Sequence, residues 1–312
     1  MLKLLKRVAP SKSPSLTARR HSSEIEHWNQ IEEQARTGER IFWLNHPRVA
    51  KPYYEKSLVD GVRWQEWIPK ALGRPAEVAL ELGCGKGDGL VSVWRAGAAQ
   101  RLVGVDLDDT RFAVAKARLE DAGDHVHFRA EDINHIRLEA STYDLIYALQ
   151  SFHHFENLEY LFAEIHQALT PGGFCVLDEY VGPARFQWTD LQLGLTRQLL
   201  GLLPRHLRMY RNGIEKREEG RSSVEQVMAV CPSEAIRSDE IVPLFQQTFE
   251  VVHHNKLGGT IQHLLYSGIV HNFPDDDPAT DQVIDCIEGL ERVFIEHGIL
   301  PSDFVLLIGK RC

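Results

Sequence analysis

A chain of 312 residues, 43% of them apolar, has enough material for one large α/β domain with additions, or for two small domains. Its formal charge of −9 argues against a protein that coats nucleic acid, which needs a basic field. No stretch approaches the ~18 continuous apolar residues of a membrane span, and the nearest, LQLGLTRQLLGLLP, is interrupted by Arg197, so no integral membrane span is expected.

The five cysteines are scattered with no C-x-x-C pair, the usage of reduced thiols in a cytoplasmic protein. Residues 1–21 read as a basic flexible tail, with a transit peptide or a weak contact to an anionic membrane as the alternatives. Residues 22–73 read as a helical segment in which SSEIEHWNQIEEQ opens on a serine cap. From residue 74 the pattern changes to α/β. EVALEL is a short apolar strand that runs into a glycine loop, and GLVSVWRAG continues as a helix. RLVGVDL is a second strand, followed by the helical DTRFAVAKARLEDAG. VHFRAEDI and YDLIYAL give a third and a fourth strand. LEYLFAEIHQALTPGG reads as an amphipathic helix ending on a Pro-Gly-Gly turn, before the fifth strand FCVLDEY.

Strands alternating with helices predict parallel βαβ units in a doubly wound, Rossmann-like sheet, with ligands at the carboxyl ends of the strands. The alternation stops after Tyr180, and residues 181–246 read as a mostly helical insertion over the site, a lid. FEVVHHNKLGG then resumes as a strand, DQVIDCIEGLERVFIEHG as a long helix and DFVLLIGKR as the last strand.

Three clusters fall at strand ends. Gly83, Gly85 and Gly87 form G-x-G-x-G behind Glu81, a pattern that lets the backbone bend steeply and approach a ligand closely; a tight turn without a ligand is the alternative. Asp106 closes the next strand, where a carboxylate can accept from both ribose hydroxyls. Asp132 beside Ile133 suits an adenine, the acid accepting from the exocyclic amine and the aliphatic chain packing on the ring, while a plain helix cap is the other reading. NAD is the rival ligand, but its fingerprint ends in Gly or Ala where Asp88 stands here, and an acid facing a pyrophosphate repels it. A ligand with a cationic centre and no phosphate fits better.

The motifs ELGCGKG, VDL, EDI, YDLIYALQSFHHF and LTPGGFCVLDEY stand in the order seen in class I S-adenosylmethionine-dependent methyltransferases, which the chain resembles over 77–180. The resemblance implies a seven-stranded sheet and bound S-adenosyl-L-methionine. It places Glu81, Gly83, Cys84, Gly85 and Gly87 along the methionine part, Asp106 and Leu107 at the ribose, Asp132 and Ile133 at the adenine, and Leu149 and Gln150 near the sulfonium.

Methyl transfer from a sulfonium is an in-line displacement in which the cofactor supplies the electrophile and the protein supplies position and, for a hydroxyl, a base. His153 and His154, after the fourth strand, are the candidate bases, with packing and helix capping as the alternative; Glu179 is the second candidate, or else an anchor for the lid. His253, His254 and His263 are weaker candidates. No metal is expected, because adjacent histidines point opposite ways on a strand and no ligand set has familiar spacing.

The nucleic-acid amino-methyltransferase signature Asn/Asp-Pro-Pro-aromatic is replaced by ALQSFHHF, so nucleic acid is not the expected acceptor. In the lid, GPARFQWTD offers aromatic faces and Arg185, and RHLRMYR clusters Arg205, His206, Arg208 and Arg211, either to receive an anion or as a solvated helical face. The segments IFWLNHPRVAKPYYEKSLVDG and CPSEAIRSDEI resemble bacterial methyltransferases found with surface-polysaccharide and secondary-metabolite genes. That resemblance implies a sugar, glycolipid or small-molecule hydroxyl as acceptor, with a natural-product N- or C-methyltransferase as alternative. Trp43, Trp64 and Trp67 either stack on sugar faces or pack in the core. A protein that binds the cofactor without transferring its methyl group is the reading from another class.

Overall fold

The computed structural model describes residues 42–312 together with residues 25, 26, 29, 30 and 33. The basic tail and the serine-capped start of the first helical segment lie outside the described residues. Between residues 42 and 76 lie α1 (Pro47–Lys56), whose first turn is capped by the His46 ring accepting from the Arg48 N–H, and α2 (Trp64–Leu72), which ends on left-handed Gly73.

The sheet begins with β1 (Ala76–Leu82), followed by α3 (Asp88–Arg95), β2 (Ala99–Asp106), α4 (Phe112–Arg118), β3 (Val126–Ala130) and β4 (Tyr143–Leu149). Then come α5 (Leu158–Ala168), β5 (Leu169–Tyr180), α6 (Asp190–Leu202), α7 (Val224–Val230) and α8 (Ile241–Thr248). The chain closes with β6 (Glu250–Gly258), α9 (Gln262–Tyr266), α10 (Pro278–Glu296) and β7 (Phe304–Lys310). The seven strands lie in the order β3-β2-β1-β4-β5-β7-β6. β7 alone is reversed, pairing antiparallel with both β5 and β6. β4 is buried along almost its whole length, as expected of a central strand with helices on both faces. One apolar cluster, around Leu90, Leu102, Leu145 and Leu306, packs on one face; the other, around Leu80, Ile146, Leu161 and Leu307, packs on the opposite face. The Rossmann-like, doubly wound reading of the sequence therefore holds.

Three local expectations change. The helix over DTRFAVAKARLEDAG is broken: only Phe112–Arg118 is α-helical, and 3-10 turns flank it at Asp109–Arg111 and Glu120–His125. The predicted Pro-Gly-Gly turn is instead the start of β5, where Leu169 pairs with Tyr143 across an irregularity and Arg311 exchanges backbone bonds with Gly172 and Gly173. The predicted lid end at residue 246 falls inside α8, whose buried Ile241 and Phe245 pack in the same apolar cluster as Phe162 of α5. That helix covers the sheet rather than the site. Among the described residues, no helix is long and apolar enough to cross a membrane.

Candidate functional site

β1 ends and the chain must reverse into α3 within a few residues. Gly83 turns with a φ of 77°, its N–H donating to Val105 O at 2.8 Å, and Gly87 sits at the helix N-cap with a φ of 78°. A Cβ on Gly83 would stand 2.5 Å from Ser151 Cβ, so the loop after β1 and the loop after β4 touch at a position only glycine permits. Asp106, at the end of β2, ties the loop down: its two carboxylate oxygens accept from the N–H groups of Gly85 (2.8 Å) and Asp108 (3.0 Å).

These strand ends surround a cavity of about 550 Å³. Of the residues singled out in the sequence, Gly83, Gly85, Asp106, Leu107, Asp132, Ile133, Leu149, Gln150 and His154 line it. Asp132 also caps the turn after β3, accepting from the Asn134 N–H at 3.0 Å, so the capping reading of that residue holds while it lines the cavity. Asp108, Arg111, Glu131, Ser151 and Ser233 are among the further lining residues that the sequence did not single out. The acids Asp106, Asp108, Glu131 and Asp132 outnumber Arg111, which is itself paired with Asp108 at 3.2 Å. A net-negative cavity favours a cationic ligand over a pyrophosphate.

Other predicted site residues do not line the cavity. Glu81 is 3% exposed and lies under α3, receiving the Tyr147 hydroxyl at 3.3 Å; a Cβ on Gly89 would stand 2.2 Å from it. Burial pushes its carboxyl well above the usual range, against the Tyr147 and Leu90 hydrogen bonds. It lies beneath the loop rather than among the residues that line the cavity, where the resemblance placed it along the methionine part. Cys84 is buried against the backbone of Gly104, and Gly87 is backed by Ala115, so both are packing positions.

The two histidines follow β4 on a 3-10 turn, Phe152–His154. Glu179 staples this turn. Its Oε1 accepts from the N–H groups of Ser151 (2.5 Å) and Phe152, and its Oε2 meets His153 Nδ1 at 2.7 Å and the Tyr180 N–H at 3.1 Å. Glu179 has no exposure and is not among the residues that line the cavity, so its contacts are with the turn itself. His153 lies between Glu179 and Glu234, whose Oε1 is 3.7 Å from Nε2. Burial, the largest single influence, draws its pKa down, and Glu179 and Glu234 together draw it up by more, leaving it raised. His154 alone of the three lines the cavity, with Ser233 Oγ 3.2 Å from its Nδ1. The two rings are neighbours on this turn, centroids 4.2 Å apart and planes tilted by 42°, rather than on opposite sides of a strand. The argument that adjacent histidines point opposite ways on a strand therefore does not apply to this turn.

The segment predicted as a lid contributes less to an acceptor than its sequence promised. Arg185 is spent on the carbonyls of Pro232 (2.7 Å) and Glu234 (3.2 Å). Arg208 pairs with Glu215 at 3.1 Å, beside Arg205 at 3.6 Å. Trp43 and Trp64 are core residues against Phe304 and Tyr147, and Trp67 packs on Phe174 and His253. They offer no sugar platform. His263 sits among Trp43, Tyr180 and Trp188, while His253 and His254 stand on β6 away from the cavity lining.

Comparison with known proteins bears on this geometry. Residues 80–177 match a family model described as a methyltransferase domain. The sterol 24-C-methyltransferase of Saccharomyces cerevisiae is 29% identical over 107 residues, 34% of this chain and 28% of that protein. A ubiquinone biosynthesis O-methyltransferase of Aromatoleum aromaticum is 27% identical over 134 residues, 42% of this chain and 54% of that one. The chain thus spans from about a quarter to about half the length of the curated relatives it matches. In structure, geranyl diphosphate C-methyltransferase from Streptomyces coelicolor A3(2) superposes with a TM-score of 0.53 at 16% identity, covering 96% of this chain and 100% of that one, which shows a shared fold. The family match lies on the strands that build the cavity, and residues 80–177 carry a methyltransferase domain.

Proposed function

We propose that the chain transfers a methyl group from S-adenosyl-L-methionine to a hydroxyl of a small-molecule acceptor, sugar and glycolipid hydroxyls being the class the sequence favours. The observation that carries this reading is the alignment of Asp106, Asp132 and Ile133 along one acidic cavity that ends at Leu149, Gln150 and His154. Asp106 is oriented by two backbone N–H groups, and a carboxylate has about four acceptor sites, so two remain for ribose hydroxyls. The sulfonium is then met by acids rather than by bases. The cofactor supplies the methyl electrophile. The chain supplies a rigid loop, the ribose and adenine contacts, and a wall at His154 where an acceptor hydroxyl hydrogen-bonds in line with the methyl group.

The names of the relatives include C- and O-methyl transfer, so the choice of oxygen rests on His154 standing at that wall. The test is to give the purified chain methyl-labelled S-adenosylmethionine with fractionated extract of the source organism. Label in the small-molecule or glycan-lipid pool supports the reading. Label in protein or nucleic acid, or in no pool despite bound cofactor, overturns it, the last outcome pointing to a protein that binds the cofactor without transfer.

A further inference from the structure

His153, His154 and Glu234 come from sequence positions about eighty residues apart, yet one ligand atom from each lies within 4.8 Å of the others. Two imidazoles and one carboxylate are the donor set of a catalytic zinc-type site with an open fourth position. Ligands at about 2.0 Å from a tetrahedral ion stand roughly 3.3 Å apart, and His153 Nε2 and Glu234 Oε1 are already 3.7 Å apart.

The surroundings are those of metal-binding histidines. A ligating imidazole is held by a hydrogen bond from its other nitrogen to a carboxylate, carbonyl or hydroxyl, which fixes its tautomer and aims its lone pair. Here Glu179 holds His153 Nδ1 at 2.7 Å, and Ser233 Oγ lies 3.2 Å from His154 Nδ1. Glu179 also fixes the turn carrying both rings through the N–H groups of Ser151 and Phe152. Glu234 is held in turn by its backbone: its N–H donates to Cys231 O at 3.2 Å and its carbonyl accepts from Arg185. Next along that segment, the Ile236 N–H donates to His153 O at 3.1 Å, locking the lid to the turn. With the Nδ1 proton given to Glu179, the lone pair of His153 Nε2 faces a carboxylate oxygen. Two lone pairs repel unless a cation stands between them, and that cation is either a second proton or a metal ion.

We propose that His153, His154 and Glu234 bind one divalent transition-metal ion of the zinc class at the edge of the cavity, with Glu179 and Ser233 as the groups that aim the two rings. The site is itself independent of the methyl-transfer reading. Its use rests on that reading: His154 and Ser233 line the cavity, so the ion is placed one side chain from the acceptor, where its open position takes the acceptor oxygen and favours the nucleophilic form, releasing the hydroxyl proton to solvent.

The test uses the full chain, stripped with a chelator and titrated with Co2+, whose visible d–d bands report four-coordination. The expected result is one equivalent bound with tetrahedral bands, displaced by Zn2+, and at least a tenfold weaker affinity in Glu234→Ala. The affinity of the same variant for S-adenosylhomocysteine reports that it is folded. Absence of the bands at saturating Co2+, or equal Co2+ affinity in wild type and Glu234→Ala, overturns the proposal and leaves a doubly protonated His153 as the cation in the gap. A chain that binds Co2+ as expected but not S-adenosylhomocysteine contradicts the methyltransferase reading and not this one.

Discussion

Replacing Glu179 with alanine separates anchoring from chemistry. The carboxylate is fully buried and satisfies three backbone N–H groups, those of Ser151, Phe152 and Tyr180, as well as His153 Nδ1. Each buried donor left unpaired costs about 1–3 kcal/mol, and removing one partner of a buried ion pair about 3–5 kcal/mol. Because these terms overlap on one turn and water can enter the vacated space, a net loss of about 3–5 kcal/mol is expected. For a chain of this size that is a fall in melting temperature of roughly 6–10 °C, at about 2 °C per kcal/mol. The assay is denaturant unfolding paired with the affinity for S-adenosylhomocysteine, and Glu179→Gln, which keeps an acceptor oxygen, is expected to fall between wild type and alanine. A Glu179→Ala protein with unchanged stability and a hundredfold loss of methyl transfer would refute the positioning role and restore Glu179 as a base.

Asp106→Asn keeps the size of the side chain but removes the charge that receives the Gly85 and Asp108 N–H groups and the proposed ribose hydroxyls. Charge-assisted hydrogen bonds are worth about 1.5–3 kcal/mol each, so S-adenosylhomocysteine affinity by calorimetry is expected to fall about a hundredfold or more; a change under threefold contradicts the ribose assignment. Gly83→Ala sets a Cβ 2.5 Å from Ser151 Cβ at a φ of 77°. It is expected to cost at least about 1–2 kcal/mol from the left-handed backbone alone, with weaker cofactor binding, whereas an unchanged melting curve would mean that the two loops do not touch. Asp303 is buried beside Glu291, Gln192 and Thr260, and burial pushes its carboxyl up to about 7. Between its unfolded value near 4 and 7 the native state keeps a proton the unfolded state has released, so its contribution to stability falls as pH rises through that window and levels off above it. The wild-type minus Asp303→Asn difference in unfolding free energy is expected to fall by up to about 4 kcal/mol between pH 4 and pH 8; a difference flat in pH contradicts the buried, proton-holding environment.

The sheet and the cofactor side of the site were legible because they are written in short-range patterns. Period, strand-end acids and glycine spacing locate Asp106, Asp132 and the turning positions Gly83 and Gly85 without knowledge of long-range packing. What could not be read was which of several acids and histidines faces the cavity. Glu81 and Glu179 look like ligands in sequence because they are acids beside glycine or at a strand end, but each is turned inward to satisfy backbone N–H groups or a hydroxyl. Ser233 and Glu234 reach the turn after β4 only because the lid folds back over it, a contact about eighty residues long in sequence. No local motif marks it. The three tryptophans illustrate the same limit, since a stacking platform and a core residue have one composition and differ only in what packs against them.

The ligand of the acidic cavity distinguishes a methyltransferase from a dinucleotide-binding protein. Calorimetric titration of the purified chain with S-adenosylhomocysteine and, separately, with NAD decides it. The expected result is one equivalent of S-adenosylhomocysteine bound per chain, lost in Asp106→Asn, and no heat with NAD. Binding of NAD, or no binding of S-adenosylhomocysteine by a chain whose unfolding is cooperative, would contradict the assignment of the cavity.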